Sequence, residues 1–209
     1  MANVIAKTNA NDGMAITLLT ATFKKNSTFD PSAEYVVMQD KKVLGLAKQG
    51  AELNDRCFPG LKYSGFLSGK VEAGIWCVQK VVPIGKVRVE NKYPFTSEEK
   101  TEVIASFSAT LKVIDPMLVL KSLIEGTTNL NYSVSALKNL LLEHADVVFS
   151  ALVRKFNEKS GKVHDSLKFH YLIPESSTQA SLFKTFSSVM NTQFNKLGYS
   201  LEISLSGLY

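Results

Sequence analysis

The sequence predicts an α+β fold, in which a mixed or antiparallel sheet carries helices packed on one side. The first observation is a long alternating stretch: the odd positions from 103 to 113 are Val, Ala, Phe, Ala, Leu and Val, and most even positions are polar. A period of two is typical of a strand with one buried face. The second observation is the chain order, because strand patterns dominate up to residue 113 and helical patterns follow, until a last strand.

A helix is predicted directly after this long strand, over residues 116–125. Asp115 offers a side-chain oxygen to the first free amides of the helix, and Pro116 suits the first helical position because it has no amide hydrogen. Gly126 can adopt the left-handed conformation that ends many helices. These three residues fix the predicted bounds of the helix.

The first half of the chain reads as strands and turns. Residues 14–23 favour a strand because Thr and β-branched residues dominate them, although a helix stays open as an alternative. Asp40, Lys41 and Lys42 predict the tight turn of a hairpin, and residues 57–60 predict a further turn. Four other stretches are predicted as strands: residues 34–39, 43–47, 71–82 and 85–90, the last two being separated by Pro83.

The second half reads as two longer helices and a closing strand. Apolar residues recur every three to four positions over residues 133–157 and again over residues 176–197, which predicts two amphipathic helices. Between them, residues 168–173 suit either a short strand or an irregular apolar link. Residues 199–206 alternate again, and we expect this segment to return to the sheet because its leucine face needs burial.

The predicted domain organisation is simple. Residues 1–33 are expected to be a flexible N-terminal segment, since the first thirteen are rich in Asn, Ala, Thr and Asp and residues 24–31 form a polar connector. Residues 34–209 are expected to form one α+β domain.

Composition and charge limit the class of protein. The chain is 45% hydrophobic, which suits a globular core, and its 24 Lys and Arg against 19 Asp and Glu give a net charge of +5. Its lysines are scattered, so the sequence favours at most peripheral contact with an anionic membrane, and nucleic acid is not an expected partner. The N-terminus lacks the pattern of a secretory signal, no apolar stretch is long enough to span a bilayer, and two cysteines suit a reducing compartment. We therefore expect a cytoplasmic protein.

No residues are predicted as catalytic, cofactor-binding or metal-binding. His144 has no second ligand at helical spacing, and His164 and His170 lack a third ligand. Cys77 is expected to be a buried, unreactive thiol, whereas Cys57 precedes a turn and is expected to be more exposed. The serines lack a nucleophile elbow, the glycines lack the spacing of a phosphate loop, and the carboxylate pair at residues 98–99 reads as solvated. The sequence therefore predicts a protein that is not an enzyme and needs no cofactor.

A pocket for a small molecule, between the sheet and the helices near Trp76, is a weaker hypothesis. Trp76 is the single tryptophan of the chain, so quenching of its fluorescence would report on such a pocket.

The order of the motifs resembles the SPFH family, which includes stomatin, prohibitin and flotillin. The resemblance covers about residues 34–206. It rests on the opening hairpin at residues 34–45, the turn at residues 58–61, the strand-to-helix junction at residues 113–116, and the ending at residues 195–203. The short helix with Leu120, Leu123 and Ile124, and the longer helix at residues 137–156, also resemble the family pattern.

This resemblance implies a non-enzymatic scaffold domain that self-assembles, associates with a membrane surface and holds other proteins. It implies a homo-oligomer. The chain departs from the family in two ways, because it has neither the N-terminal membrane segment of many members nor the long coiled-coil helix that follows the domain in them. The alternative function is a nucleic-acid-binding or virion-associated structural protein that uses the basic surface.

Overall fold

The computed structural model describes residues 3–5, 13–64, 69–94, 100–125, 131–159 and 177–208. It contains strands and helices in the order β1(Val4–Ile5), β2(Met14–Lys24), β3(Thr28–Phe29), β4(Ala33–Gln39), β5(Lys42–Leu46), β6(Lys70–Gln79), β7(Val81–Pro94), β8(Lys100–Val113), α1(Pro116–Ile124), β9(Asn131–Ser133), α2(Val134–Lys159), α3(Ser177–Asn195) and β10(Tyr199–Leu208). The predicted α+β class is confirmed, with mostly antiparallel strands.

The chain forms two compact units. One unit comprises Met1–Val82 with Val113–Val134, and the other comprises Pro83–Lys112 with Ser135–Tyr209. The first unit contains a five-stranded sheet in the order β5-β4-β6-β2-β9, in which each strand is antiparallel to its neighbours. A short parallel pair, β1 with β3, belongs to the same unit.

The predicted hairpin is confirmed in β4 and β5. Asp40 and Lys41 join the two strands and both have positive φ angles, 51° and 61°. Two successive residues in this conformation form the mirror-image turn whose twist matches that of paired strands. A bulge between Val37 and Met38 shifts the register of the hairpin.

The core of the first unit lies on one face of its sheet. Tyr35, Val37, Ile75 and Cys77 point to this face from β4 and β6, in keeping with their odd positions along each strand. The loop that follows β5 closes over them with Leu53, Phe58 and Leu61, all of which are buried. Burial of these apolar groups is the main term that stabilises the unit.

Helix α1 begins as the sequence predicts. The Asp115 carboxylate accepts a hydrogen bond from the Leu118 amide at 3.0 Å, and Pro116 occupies the first turn. The helix buries Val119 and Leu123 and contacts β4. Its predicted stop, Gly126, lies outside the described residues.

The second unit contains a three-stranded sheet in the order β10-β8-β7, together with α2 and α3. The predicted alternation of β8 is confirmed by Ala105, Phe107, Ala109 and Leu111, each at most 3% exposed. The predicted return of the last strand is also confirmed, because β10 pairs beside β8.

Aromatic rings join the helices to this second sheet. The Phe186 ring of α3 lies 5.5 Å from the Phe107 ring of β8 and 6.0 Å from the Phe149 ring of α2, both edge to face. Phe183 lies 6.1 Å from Phe186 on the same helix. Phe186 is therefore the residue on which both helices and the sheet converge.

The structure corrects the prediction that all helices cover one side of a single sheet. The strands form separate sheets in the two units, and α1 belongs to the unit of the five-stranded sheet whereas α2 and α3 belong to the other. Local periodicity identifies strands but does not assign each strand to a sheet, because pairing depends on contacts between distant segments.

Two boundaries are also corrected. Residues 1–33 are not a flexible segment as a whole, because β2 lies inside the five-stranded sheet and β1 and β3 pair with each other. Pro83 does not separate two strands, since it lies within β7. A proline is tolerated there because, among the described strands, β7 is the last in its sheet and so has a side without ladder hydrogen bonds. The apolar link at residues 168–173 lies outside the described residues.

Replacing Asp115 with Ala is expected to destabilise the first unit. The substitution removes the side-chain acceptor at the start of α1 and should lower the free energy of unfolding by about 0.5–2 kcal/mol. Urea denaturation followed by circular dichroism measures this loss. Asp115→Asn keeps an acceptor and serves as the matched control, so equal losses in both variants would contradict the capping role.

Replacing Phe186 with Ala is expected to cost about 3–5 kcal/mol of the free energy of unfolding, because it opens a cavity among three other phenylalanine rings. Lys184→Ala, at an exposed position on the same helix, should change it by no more than about 0.5 kcal/mol. Chemical denaturation of both variants provides the comparison. A Phe186→Ala variant as stable as Lys184→Ala would show that the ring cluster does not stabilise the second unit.

Candidate functional site

In the part of the chain that the structure describes, the outer half of β2 forms an open strand edge. On one side, β2 pairs with β6 over nine consecutive residue pairs, from Ile16 opposite Val78 to Lys24 opposite Lys70. On its other side, β2 pairs with β9 only between Met14 and Thr17. Within the described part of the chain, no strand pairs with that side of residues 18–24. We call this segment the β2 edge.

From Leu18 to Phe23, the β2 edge lacks the residues that usually protect an exposed strand. Native edges commonly carry charged side chains or proline, which prevent other strands from pairing with them. Here the chain has no charge and no proline from Met14 to Phe23, and Lys24 is the first charged residue. Thr20, Ala21 and Thr22 are exposed. The edge is therefore accessible and chemically suited to pair with another extended chain.

A groove runs along this edge, with a volume of about 610 Å³. Residues 17–24 of β2 form one wall, residues 3–5 around β1 form the other, and Ser27 and Asn131 complete the lining. We call it the edge groove. Its length follows the strand, so it suits an extended chain better than a compact ligand.

Thr17 lies at one end of the edge groove, where β9 stops. Thr17 is only 5% exposed, and its hydroxyl oxygen has no hydrogen-bond partner among the described residues. Its strand neighbours are Asn131 of β9 and Cys77 of β6. A buried hydroxyl without a partner costs free energy, and this end of the groove is closed by an uncharged, buried residue.

The other end of the edge groove is positively charged. Lys24 is exposed, lines the groove and lies directly opposite Lys70 of β6. The next residue, Lys25, lies 4.0 Å from the Asp55 carboxylate and 4.7 Å from the centre of the Tyr63 ring. Lys24 forms no ion pair with any carboxylate in the part of the chain that the structure describes.

A second groove of about 560 Å³ lies on the sheet face that points away from the core of the unit. We call it the face groove. Leu18, Gly74, Met38 and Trp76 line it, and the Trp76 indole N–H donates to the Met38 sulfur at 3.1 Å. A groove therefore lies near Trp76, where the sequence suggested a pocket. It is lined by strands and the hairpin turn, whereas the sequence suggested a pocket between the sheet and the helices. Ligand binding there stays a prediction.

The Gln39 side chain closes one end of the face groove. Its amide nitrogen donates to the carbonyl oxygens of Lys62 at 3.0 Å and Glu72 at 2.8 Å, and its amide oxygen accepts from the Lys62 backbone at 2.7 Å. The Lys62 ammonium also contacts the Asp40 carboxylate at 2.7 Å. These bonds tie the loop after β5 to β4 and β6, and so hold the sheet that supports the β2 edge.

The pKa values of Tyr35 and Asp30, both in the first unit, are shifted. Burial raises the pKa of the Tyr35 hydroxyl well above its ordinary range, with a further contribution from Cys77 directly opposite, so Tyr35 stays protonated at physiological pH. The Ser32 backbone amide donates to the Asp30 carboxylate at 2.8 Å, and this hydrogen bond lowers the pKa of Asp30.

Three of the residues considered as chemical candidates, His144, Cys57 and Cys77, lie within the described residues. His144 is half-buried, with its ring 5.9 Å from the Phe194 ring, as expected for a structural histidine. Cys77 is buried and Cys57 exposed, as predicted, and they are not joined in a disulfide. His164, His170 and residues 98–99 lie outside the described residues. Among the residues that are described, no three His, Cys, Asp or Glu side chains are grouped as metal ligands.

None of the helices in the described ranges is both long and apolar enough to cross a membrane. In comparisons with known proteins, no model of a protein family matches the chain, and no curated protein matches it. The resemblance to the SPFH family therefore stays a prediction.

Replacing Thr17 with Val is expected to stabilise the protein. Valine has a similar shape and removes the buried hydroxyl that lacks a partner, so the free energy of unfolding should rise by about 1 kcal/mol. Urea denaturation measures the change. Thr20→Val, at an exposed position on the same strand, is the matched control. A destabilised Thr17→Val variant would indicate that the hydroxyl is satisfied in the folded protein.

Proposed function

We propose that this chain is a non-enzymatic scaffold domain that holds other protein chains, including further copies of itself, by strand addition at the β2 edge. The observation that carries the proposal is the unprotected edge over residues 18–24, bordered by a groove of about 610 Å³. In strand addition, an extended segment pairs with an exposed sheet edge through its main chain, and pockets for alternate side chains give specificity.

The dimensions of the edge groove support this role. An extended chain rises about 3.3 Å per residue, so a segment of about seven residues would run beside residues 18–24. Leu19 and Phe23 pack against the core of the unit from the edge strand itself. An added strand would place its own apolar residues beside them and extend that core.

Membrane association and a cytoplasmic location are part of the same proposal, with less support. They rest on the net charge of +5 and on the resemblance to the SPFH family. The alternative, nucleic-acid binding, has less support still, because several lysines lie beside carboxylates: Lys62 near Asp40, and Lys80 near Glu34 at 3.5 Å. Such pairing divides a basic surface into small areas, whereas nucleic-acid binding requires a continuous one.

The proposal is tested with a labelled seven-residue peptide, acetyl-Gln-Val-Thr-Val-Thr-Val-Thr with fluorescein at its C-terminus, and with light scattering of the protein alone. We expect the peptide to bind, as measured by fluorescence anisotropy, or the protein to self-associate as its concentration rises. Thr20→Lys should weaken either association at least about tenfold, because a charge on the strand opposes pairing at its edge.

Thr185→Lys is the matched control, because it places the same charge at an exposed position in the second unit. It should bind and self-associate like the natural protein. If the protein without substitutions stays monomeric and binds no peptide, the proposal is wrong. Equal effects of Thr20→Lys and Thr185→Lys on binding and self-association would also overturn it. Flotation with anionic vesicles and a mobility shift with nucleic acid examine the two less supported roles.

A further inference from the structure

We infer that the β2 edge selects an extended peptide segment of a partner protein that carries an acidic residue opposite Lys24, followed by alternating apolar and hydroxyl-bearing residues. This inference rests on the proposed strand addition and names the class of partner. Its three supports are the charge at one end of the edge groove, the two faces of β2, and the buried hydroxyl at the other end.

The positive charge at the Lys24 end of the edge groove favours an anionic side chain in the bound segment. Lys24 and Lys70 are directly opposite each other, and like charges in that position destabilise a strand pair. Glu72, on the same face of the sheet, lies opposite Thr22 and forms no ion pair with Lys24. A carboxylate on the added strand, opposite Lys24, would pair with the exposed Lys24 ammonium from the groove side.

The two faces of β2 define the rest of the pattern. β6 and β9 both run antiparallel to β2. An added strand that is also antiparallel to β2 begins near Lys24 and ends near Leu18. Its second, fourth and sixth residues would lie beside Phe23, Ala21 and Leu19, and apolar side chains suit these positions. Its third and fifth residues would lie beside Thr22 and Thr20, where cross-strand Thr pairs are favourable.

The Thr17 end requires an uncharged group. Thr17 is buried, its hydroxyl oxygen has no partner among the described residues, and Asn131 is beside it in the groove lining. A charge brought to this position would lose its hydration without an opposite charge to compensate, whereas an uncharged residue would not carry this cost. The two ends of the edge groove therefore differ, and the difference sets both the direction and the register of the bound segment.

Three labelled peptides test this inference: the glutamine peptide used above, and two that replace its first residue with glutamate or lysine. We expect the glutamate peptide to bind about two- to fivefold more tightly than the glutamine peptide, and the lysine peptide to bind more weakly by a similar factor. Fluorescence anisotropy gives the three dissociation constants. Added salt should reduce the difference between them, because the pair is exposed.

Lys24→Glu should reverse the order, so that the lysine peptide binds best. Lys184→Glu changes the net charge equally at an exposed position in the second unit and should leave the order unchanged. Equal dissociation constants for all three peptides would overturn the inference while leaving strand addition intact. If no peptide binds, strand addition itself fails. If Lys184→Glu reverses the order as well, the preference comes from net charge and the inference is wrong.

Discussion

The backbone pairing of β2 with β6 is the constraint on which the proposed site depends. It runs without a break from Ile16 to Lys24, and β6 is held on its other side by β4. The outer half of β2 therefore stays extended although β6 is the only strand of the described residues that pairs with it. An edge fixed in this way is already in the conformation that an added strand requires, so a partner would bind without paying to order the edge first.

The same pairing explains why the two grooves are adjacent. Successive side chains of a strand point to opposite faces, so Leu19 and Phe23 join the core while Leu18, Thr20 and Thr22 line the face groove. The backbone between them borders the edge groove. A chain added at the edge would extend both faces of the sheet, so its binding would also lengthen the face groove near Trp76.

The sequence predicted those elements whose signal is local. The alternation of β8 and the Asp115-Pro116 junction each lie within a few consecutive residues, and both are confirmed. The β2 edge could not be predicted, because it depends on where β9, a strand of three residues, pairs with a segment more than a hundred positions away. The uncharged run from Met14 to Phe23 was the one available signal, and it suits a buried strand equally well.

An unprotected edge raises the question of how promiscuous pairing is avoided. A uniform apolar edge would accept almost any extended segment and would promote aggregation. The β2 edge is not uniform, because a lysine lies at one end and a buried hydroxyl at the other. A segment shifted by one residue would direct its apolar side chains to the wrong face. A reversed segment would bring its acidic group to Thr17 instead of Lys24. The chemical difference between the two ends therefore provides the selectivity that this edge needs.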